Sequence, residues 1–257
     1  MSSAALDRIV ADKKARLARG DYCPSGTASK PSDGRRFLAA LEGPAPRILA
    51  EIKARSPSAG EILTAADGKV ETLALAYRRG HAAALSVVVE EDHFGGRPEW
   101  LPRARRISGL PALMKDFIVE ERQLDFALSL GADAVLLIAR VLDDARLAAF
   151  VSGARERGIA TVVEAHDAEE IARASAVAPD VLGVNARDLQ TFETNLAELE
   201  ALAPLLPEGP IRLAESGIAS RAQIRRLLAL GFTAFLVGEA LLRAEDPEQA
   251  LREIQSP

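Results

Sequence analysis

Four helical segments of this chain end on a glycine, and each is followed at once by an apolar run. The glycines are Gly80, Gly131, Gly158 and Gly231. Glycine at this position is typical of a left-handed helix C-cap that leads through a short loop into a strand. Because the same unit recurs along the chain, we predict repeated strand–helix pairs instead of two unrelated domains.

The apolar runs indicate strands that are buried on both faces. Runs such as 134–139 and 181–184 are nearly continuous and do not alternate with polar residues. Continuous runs are typical of a parallel sheet that helices cover on both sides. Strands are predicted near residues 48–53, 82–90, 111–115, 133–139, 159–164, 181–185, 211–215 and 233–237, with helices at 70–79, 120–130, 143–157, 168–176 and 221–230.

Eight strand–helix units in about 210 residues match the size of one α/β domain, a single (β/α)8 TIM barrel. An open doubly wound sheet is the alternative, but no Gly-x-Gly-x-x-Gly motif follows the first predicted strand. Two helical segments, 6–19 and 36–41, precede that strand. We therefore predict an N-terminal helical extension over residues 1–45, packed on a barrel over residues 46–257.

Composition and charge disfavour several classes of protein. The net charge is −5 with basic residues scattered among acidic ones, which argues against a nucleic-acid-binding face. The first 20 residues are too charged for a signal peptide, and no run approaches the roughly 18 apolar residues of a membrane span. We expect a cytoplasmic protein, a monomer or weak homodimer, without a membrane partner. Cys23 is the only cysteine, so an internal disulfide and a cysteine-based zinc site are excluded.

The three histidines are predicted to be structural. His81 lies at a strand start, His93 lies in a loop, and His166 is expected to cap or orient the loop after a strand. No two of them have the spacing of metal ligands, so no metal site is predicted.

Polar residues stand at the carboxyl ends of several predicted strands, where barrel enzymes place their catalytic groups. One such residue alone is usually a solvated loop residue. Their joint occurrence indicates a catalytic site, because charges gathered at one barrel mouth cost stability that is tolerated where shifted pKa values serve catalysis. The residues are Glu51 and Lys53, which share one strand face, and Ser56, Lys115, Glu164, Asn185, Arg187 and Glu215.

Small residues follow the last two predicted strands, at Ser216 and Gly217 and at Gly238 before Glu239. Barrels commonly bind phosphate at these positions, because small residues let backbone N–H groups approach the phosphate oxygens and a short helix adds attraction. The alternative is that both glycines only make turns. We favour a phosphate site and hence a phosphorylated small-molecule substrate.

Six segments resemble the indole-3-glycerol phosphate synthase family in order and spacing. The resemblance runs from about residue 35 to the end, through residues 50–53 with 56–58, 115–118, 163–166, 183–189, 215–218 and 236–239. It implies a lyase of tryptophan biosynthesis that converts 1-(2-carboxyphenylamino)-1-deoxyribulose 5-phosphate to indole-3-glycerol phosphate. Carbon dioxide and water are lost, and no metal or organic cofactor is implied.

The resemblance also implies a role for each site residue. Lys115 matches the general acid that protonates the ribulose carbonyl oxygen, and Glu164 matches the acid/base residue of the later proton transfers. We expect neighbouring charges to tune the Lys115 pKa toward neutral pH, where an acid catalyst works best. Glu51 and Lys53 match a pair that holds the substrate carboxylate. The residues that match binding groups for the substrate's polar atoms are Ser56, Asn185, Arg187 and Glu215. The phosphate site is matched by Ser216, Gly217, Gly238 and Glu239.

Three residues depart from the family pattern. Val89, Arg97 and Ala59 stand where threonine, serine and lysine are usual. We expect them to lie near the aromatic end of the substrate, so one alternative is a paralogue that takes a modified anthranilate. A sugar-phosphate isomerase typically needs a cysteine near the barrel mouth, whereas Cys23 precedes the barrel. A non-catalytic descendant is disfavoured because every motif acid and base is present.

Overall fold

The computed structural model describes residues 4–23, 32–56, 60–188 and 194–256, and it contains eight parallel strands closed into a barrel. The strands are β1 Arg47–Ile52, β2 Ala84–Val88, β3 Ala112–Lys115, β4 Ala134–Ile138, β5 Ala160–Ala165, β6 Val181–Asn185, β7 Ile211–Glu215 and β8 Ala234–Val237. Strand β1 pairs with β8 from Arg47↔Ala234 to Ala50↔Val237. This closure confirms the predicted (β/α)8 barrel, and the open doubly wound sheet is wrong.

Helices lie between the strands and at both ends of the barrel. Their bounds are α1 Ala4–Ala18, α2 Gly34–Leu41, α3 Val70–Arg79, α4 Trp100–Ser108, α5 Arg122–Leu130, α6 Asp144–Glu156, α7 Ala168–Ala176, α8 Leu196–Leu202, α9 Arg221–Leu228, α10 Glu239–Leu242 and α11 Pro247–Gln255. Side-chain caps define several starts: Asp143 accepts from the Arg146 N–H, and Ser220 and Gln223 form a capping box. Within the described ranges, no helix is both long and apolar enough to cross a bilayer.

The glycine signal is correct at three of its four positions. Gly131, Gly158 and Gly231 have positive φ angles of 75°, 68° and 90°. Gly80 has a φ of −73°, and the residue after it, His81, takes the left-handed conformation at 66°. Gly80 serves close packing instead, because a Cβ there would lie 2.9 Å from Cδ2 of Leu251 on α11.

The two helices before β1 cover opposite ends of the barrel. Helix α2 lies at the amino end, where the Gly34 N–H donates to the Gly158 carbonyl at 3.0 Å and Phe37 joins the apolar cluster inside the barrel. Helix α1 lies at the carboxyl end, where Leu6 and Ile9 join that same cluster. A domain boundary near residue 45 stays a prediction.

A buried ion pair joins α1 to the carboxyl end of the barrel. The Lys13 side chain is fully buried, and its Nζ lies 2.7 Å from Oδ1 of Asp116 and 3.9 Å from Oε1 of Glu90. Lys13 also donates to the hydroxyl of Tyr22. Asp116 directly follows Lys115, so this contact connects the N-terminal helix with the loop after β3.

Replacing Lys13 by Met should weaken the docking of α1 by about 3–5 kcal/mol, because removing one partner leaves Asp116 buried without its cation. Hydrogen exchange of the α1 amides measures this loss. Lys14→Met is the matched control, since Lys14 is exposed on the same helix. Equal protection of α1 in the two variants would contradict the prediction.

Candidate active site

A cavity of about 510 Å³ opens at the carboxyl ends of the strands. This volume lies in the range of small-molecule sites. All of the predicted catalytic, substrate-binding and phosphate-binding residues line it, namely Glu51, Lys53, Ser56, Lys115, Glu164, Asn185, Arg187, Glu215, Ser216, Gly217, Gly238 and Glu239. The structure therefore places the predicted residues in one site, and their individual roles stay predictions.

The period of two along each strand explains why these side chains meet. Leu49, Leu113, Val162 and Leu213 belong to the apolar cluster inside the barrel. Glu51, Lys115, Glu164 and Glu215 each come two residues later, so they point to the same side of their strands. The polar groups thus form the outermost interior layer, directly above the apolar filling.

Lys115 lies between two buried carboxylates. Its Nζ donates to Oε2 of Glu215 at 2.7 Å and lies 3.5 Å from Oε2 of Glu164. Lys53 forms an ion pair with Glu51 on β1. Asn185 on β6 pairs in register with Glu215, and its Oδ1 accepts from the Arg187 N–H at 3.0 Å.

The charge on Lys115 is stabilised more strongly than the sequence suggested. Burial alone lowers its pKa, but attraction by Glu215, Glu164 and Glu51 outweighs burial and holds the pKa above its ordinary value. The expected tuning toward neutral pH is therefore wrong. Lys115 is an ammonium at neutral pH and has a proton ready to donate.

The surroundings of Glu164 and Glu215 shift the pKa values of these two neighbouring carboxyl groups in opposite directions. Burial raises the pKa of Glu164, but Lys115 and His166 more than offset this effect, so the pKa lies below its usual range. Burial, together with repulsion by Glu164, raises the pKa of Glu215 to about 7 despite Lys115. Glu164 is thus ionised at neutral pH, whereas burial and the neighbouring carboxylate favour the protonated form of Glu215. Two carboxyl groups with divergent pKa values are typical of an acid–base site.

Gly183 on β6 provides the space that Glu215 occupies. A Cβ at this position would lie 2.4 Å from Oε1 of Glu215, which is closer than any normal contact. Gly183→Ala should therefore displace the carboxylate from Lys115 and lower kcat by about 10²-fold, the typical effect of moving a catalytic group by about 1 Å. Steady-state kinetics measures the loss.

Gly153→Ala provides the control for that substitution. Gly153 lies in α6, where the nearest atom to a new Cβ is the end of the Arg157 side chain at 3.2 Å. Alanine also favours a helix. Unchanged kcat in both glycine variants would show that Glu215 does not need its present position.

His166 contacts the site, which sequence reasoning did not foresee. Its Nδ1 lies 3.0 Å from Oε2 of Glu170, in line with the expected role of orienting the loop. Its Nε2 lies 3.2 Å from Oε1 of Glu164. Burial lowers the His166 pKa, but the two carboxylates outweigh burial and raise it to about 9. The i, i+2 spacing of Glu164 and His166 was the available signal.

The other part of the cavity is apolar. Phe94 and Phe117 lie with their ring centroids 6.0 Å apart, and Val88, Leu136 and Ile138, on strands β2 and β4, also line the cavity. The buried Glu90 shapes the loop that carries Phe94 by accepting from the N–H groups of His93 and Phe94, each at 2.8 Å. Sequence reasoning assigned roles to none of these residues.

The expectation for Val89 and Arg97 is wrong. Val89 is fully buried in the cluster between strands and helices, because alternation along β2 turns Val88 and not Val89 toward the cavity. Arg97 lines a separate depression beside Asp67 and Trp100. Ala59, the third departure, lies outside the described residues together with Pro57 and Ser58. The paralogue alternative thus loses the support of Val89 and Arg97.

The predicted phosphate residues lie at one side of the cavity. Ser216 and Gly217 both have positive φ angles, 68° and 73°. Gly238 lies so close to Glu51 that a Cβ would come within 2.5 Å of Oε1. The Glu239 carboxylate accepts from Nε of Arg243 at 2.9 Å, and Arg243 also lines the cavity. Arg243, a cation that sequence reasoning missed, therefore offsets the charge of Glu239.

The parts of the chain that the structure describes contain no group of three or more His, Cys, Asp or Glu side chains able to hold a metal ion.

Solved structures of low sequence identity share the fold. A mutant tryptophan synthase alpha-subunit from Pyrococcus furiosus superposes with a TM-score of 0.62 at 16% identity, over 82% of this chain and 98% of that chain. For 3-hexulose-6-phosphate synthase from Salmonella typhimurium the TM-score is 0.63 at 15% identity, over 82% and 97%. These likenesses concern the barrel alone.

Sequence relatives are more specific. The indole-3-glycerol phosphate synthase family profile matches residues 6–254. An indole-3-glycerol phosphate synthase of Micrococcus luteus is 47% identical over 80% of this chain and 76% of its own length. Another, from Laribacter hongkongensis, is 38% identical over 96% of this chain and 97% of its own. On this evidence, the chain belongs to the indole-3-glycerol phosphate synthase family.

Proposed function

We propose that this protein is an indole-3-glycerol phosphate synthase of tryptophan biosynthesis. It converts 1-(2-carboxyphenylamino)-1-deoxyribulose 5-phosphate to indole-3-glycerol phosphate, carbon dioxide and water. The observation that carries the proposal is Lys115, an ammonium held between Glu164 and Glu215 in a cavity with one apolar and one polar part. A cytoplasmic location and a monomer or weak homodimer stay part of the proposal.

Ring closure needs an acid at the ribulose carbonyl. The aromatic carbon that bears the carboxylate attacks the carbonyl carbon, and Lys115 donates a proton to the carbonyl oxygen as negative charge develops there. The carbon–carboxylate bond then breaks, and its electron pair restores the aromatic ring as carbon dioxide leaves. Glu51 and Lys53 hold the carboxylate before it leaves, with Lys53 as the cation of the pair.

Dehydration completes the pyrrole ring. The new hydroxyl leaves as water after it takes a proton, and the adjacent methylene loses a proton. Glu164 is ionised and lies within reach of Lys115, so it accepts the methylene proton and delivers this proton to the leaving hydroxyl. Because the substrate carboxylate is ionised, the whole reaction takes up one proton from solvent per turnover.

The remaining polar residues bind the ribulose phosphate. Asn185, Arg187 and Ser56 contact its polar groups, and Glu215 orients its hydroxyls. The phosphate binds to the backbone of Ser216, Gly217 and Gly238, and Arg243 adds positive charge nearby. Glu239 contributes through its backbone, since its carboxylate is paired with Arg243.

The aromatic end of the substrate packs between apolar side chains. Phe94 and Phe117 provide ring faces, and Leu136 and Ile138 lie beside them in the cavity. Since neither Val89 nor Arg97 lines this cavity, we propose the unsubstituted anthranilate ring as the substrate.

Incubation of the purified protein with the unsubstituted substrate tests the proposal. We expect indole fluorescence to appear, with carbon dioxide released in equal amount. Substrates with a substituted ring, tested in parallel, report on the aromatic end. A folded protein that produces no indole fluorescence from any of them would show that the proposed reaction is not its own.

A further inference from the structure

A row of alternating charges leads from the cavity to helix α7. Glu164 is followed by His166, then by Glu170 on α7, and then by Arg140 in the loop after β4. Arg140 also pairs with Asp167, the N-cap of α7, at 2.9 Å. The side chains of Glu164, His166 and Glu170 are all buried. The proposed mechanism assigns nothing beyond Glu164 in this row.

Both ring nitrogens of His166 face carboxylates. Nδ1 lies 3.0 Å from Oε2 of Glu170, and Nε2 lies 3.2 Å from Oε1 of Glu164. An ionised carboxylate only accepts hydrogen bonds, so Nδ1 must carry a proton in its bond to Glu170. A second carboxylate 3.2 Å from Nε2 favours a proton there as well, which makes the ring an imidazolium. The pKa of about 9 agrees with this assignment.

The Glu164 carboxylate is held from two sides. Oε1 faces His166, while Oε2 faces Lys115 at 3.5 Å and hence the cavity. Nε2 is buried, and its contact with Oε1 of Glu164 is an ion pair without the alignment of a hydrogen bond.

We infer that His166 is a positioning residue for Glu164, which it holds ionised and turned toward Lys115 through a charged contact with Oε1. The inference rests on the proposed function, in which Glu164 exchanges protons with substrate. A purely structural role is the alternative, since the His166 backbone N–H also donates to Oε2 of Glu170 at 2.9 Å and fixes the loop.

The pH dependence of kcat separates the two roles. In the wild type, kcat should fall as pH rises through about 9, because the imidazolium loses its proton and Glu164 loses a partner. His166→Gln should remove this alkaline limb and lower kcat about tenfold at neutral pH. It should also move to higher pH the acidic limb, at which Glu164 takes up a proton.

Histidine NMR gives a second readout that needs no turnover. The His166 ring should titrate near pH 9 in the wild type and at lower pH in Glu164→Gln. His81→Asn is the control, because His81 is exposed and asparagine accepts its positive φ of 66°. This control should keep the wild-type pH profile.

Three outcomes would overturn the inference: a wild-type pH profile in His166→Gln, a His166 ring that titrates near 6.5, or a titration unmoved in Glu164→Gln. If His166→Gln does not fold, Glu170→Gln keeps the ring and should shift the alkaline limb to lower pH. An unshifted limb in that variant would also contradict it. If the wild type makes no indole product, the proposed function fails, while the NMR titration still decides whether His166 and Glu164 interact.

Discussion

Replacing Lys115 by Met should lower kcat/KM by about 10³- to 10⁴-fold, the typical range for losing a general acid that also stabilises developing charge. Methionine keeps the length of the side chain but cannot donate a proton. It also removes the cation between Glu164 and Glu215, so the pKa of both carboxyl groups should rise. Indole fluorescence under steady-state conditions measures the loss.

Lys69→Met provides the matched control for Lys115→Met, because Lys69 is exposed and does not line the cavity. It should keep wild-type kinetics. If Lys115→Met kept kcat/KM within tenfold of the wild type, the proton donor at the carbonyl would have to be another group.

Replacing Asp133 by Ala should lower the free energy of unfolding by about 3–5 kcal/mol, the cost of removing one partner of a buried ion pair. Asp133 lies just before β4 and is fully buried. It accepts from Nε and Nη2 of Arg105 at 2.8 and 2.6 Å and from the N–H groups of Ala112 and Asp33 at 2.9 Å. Its loss therefore weakens contacts among β3, β4, α4 and the segment before α2. Urea unfolding measures the change.

Asp180→Ala is the comparison for Asp133→Ala. Asp180 also lies just before a strand, but it is half-buried, and its carboxylate accepts from Thr161, through the backbone N–H at 2.8 Å and the hydroxyl at 3.0 Å. We expect a loss of about 1–2 kcal/mol. Equal losses in the two variants would mean that the pair with Arg105 adds little. Both residues lie at the amino end, so a folded variant should keep its kcat.

Local sequence signals predicted the strands and the position of the site because they act over a few residues. The continuous run at 134–139 identified β4 within one residue at each end. Glu164 and Glu215 were assigned correctly to strand ends, since barrel topology brings every carboxyl end to one mouth. Charge at a strand end is therefore informative without any knowledge of contacts.

Contacts between distant segments were beyond those signals. The burial of Lys13 depends on Asp116, and the need for glycine at position 80 comes from Leu251 of the last helix. The error at Val89 has a different cause. A shift of one position at the end of β2 exchanges the cavity side for the helix side, and an apolar run does not reveal which residue faces inward.

The covering of both barrel ends by helices that precede β1 affects how the protein folds during its synthesis. Helix α2 leaves the ribosome early, but its partners Asp133 and Gly158 follow about a hundred residues later, and the Asp33–Asp133 contact spans 100 positions. Strand β1 can pair with β8 only after β8 has been synthesised, which is later still. A nascent chain therefore exposes the apolar faces of its first helices through much of translation.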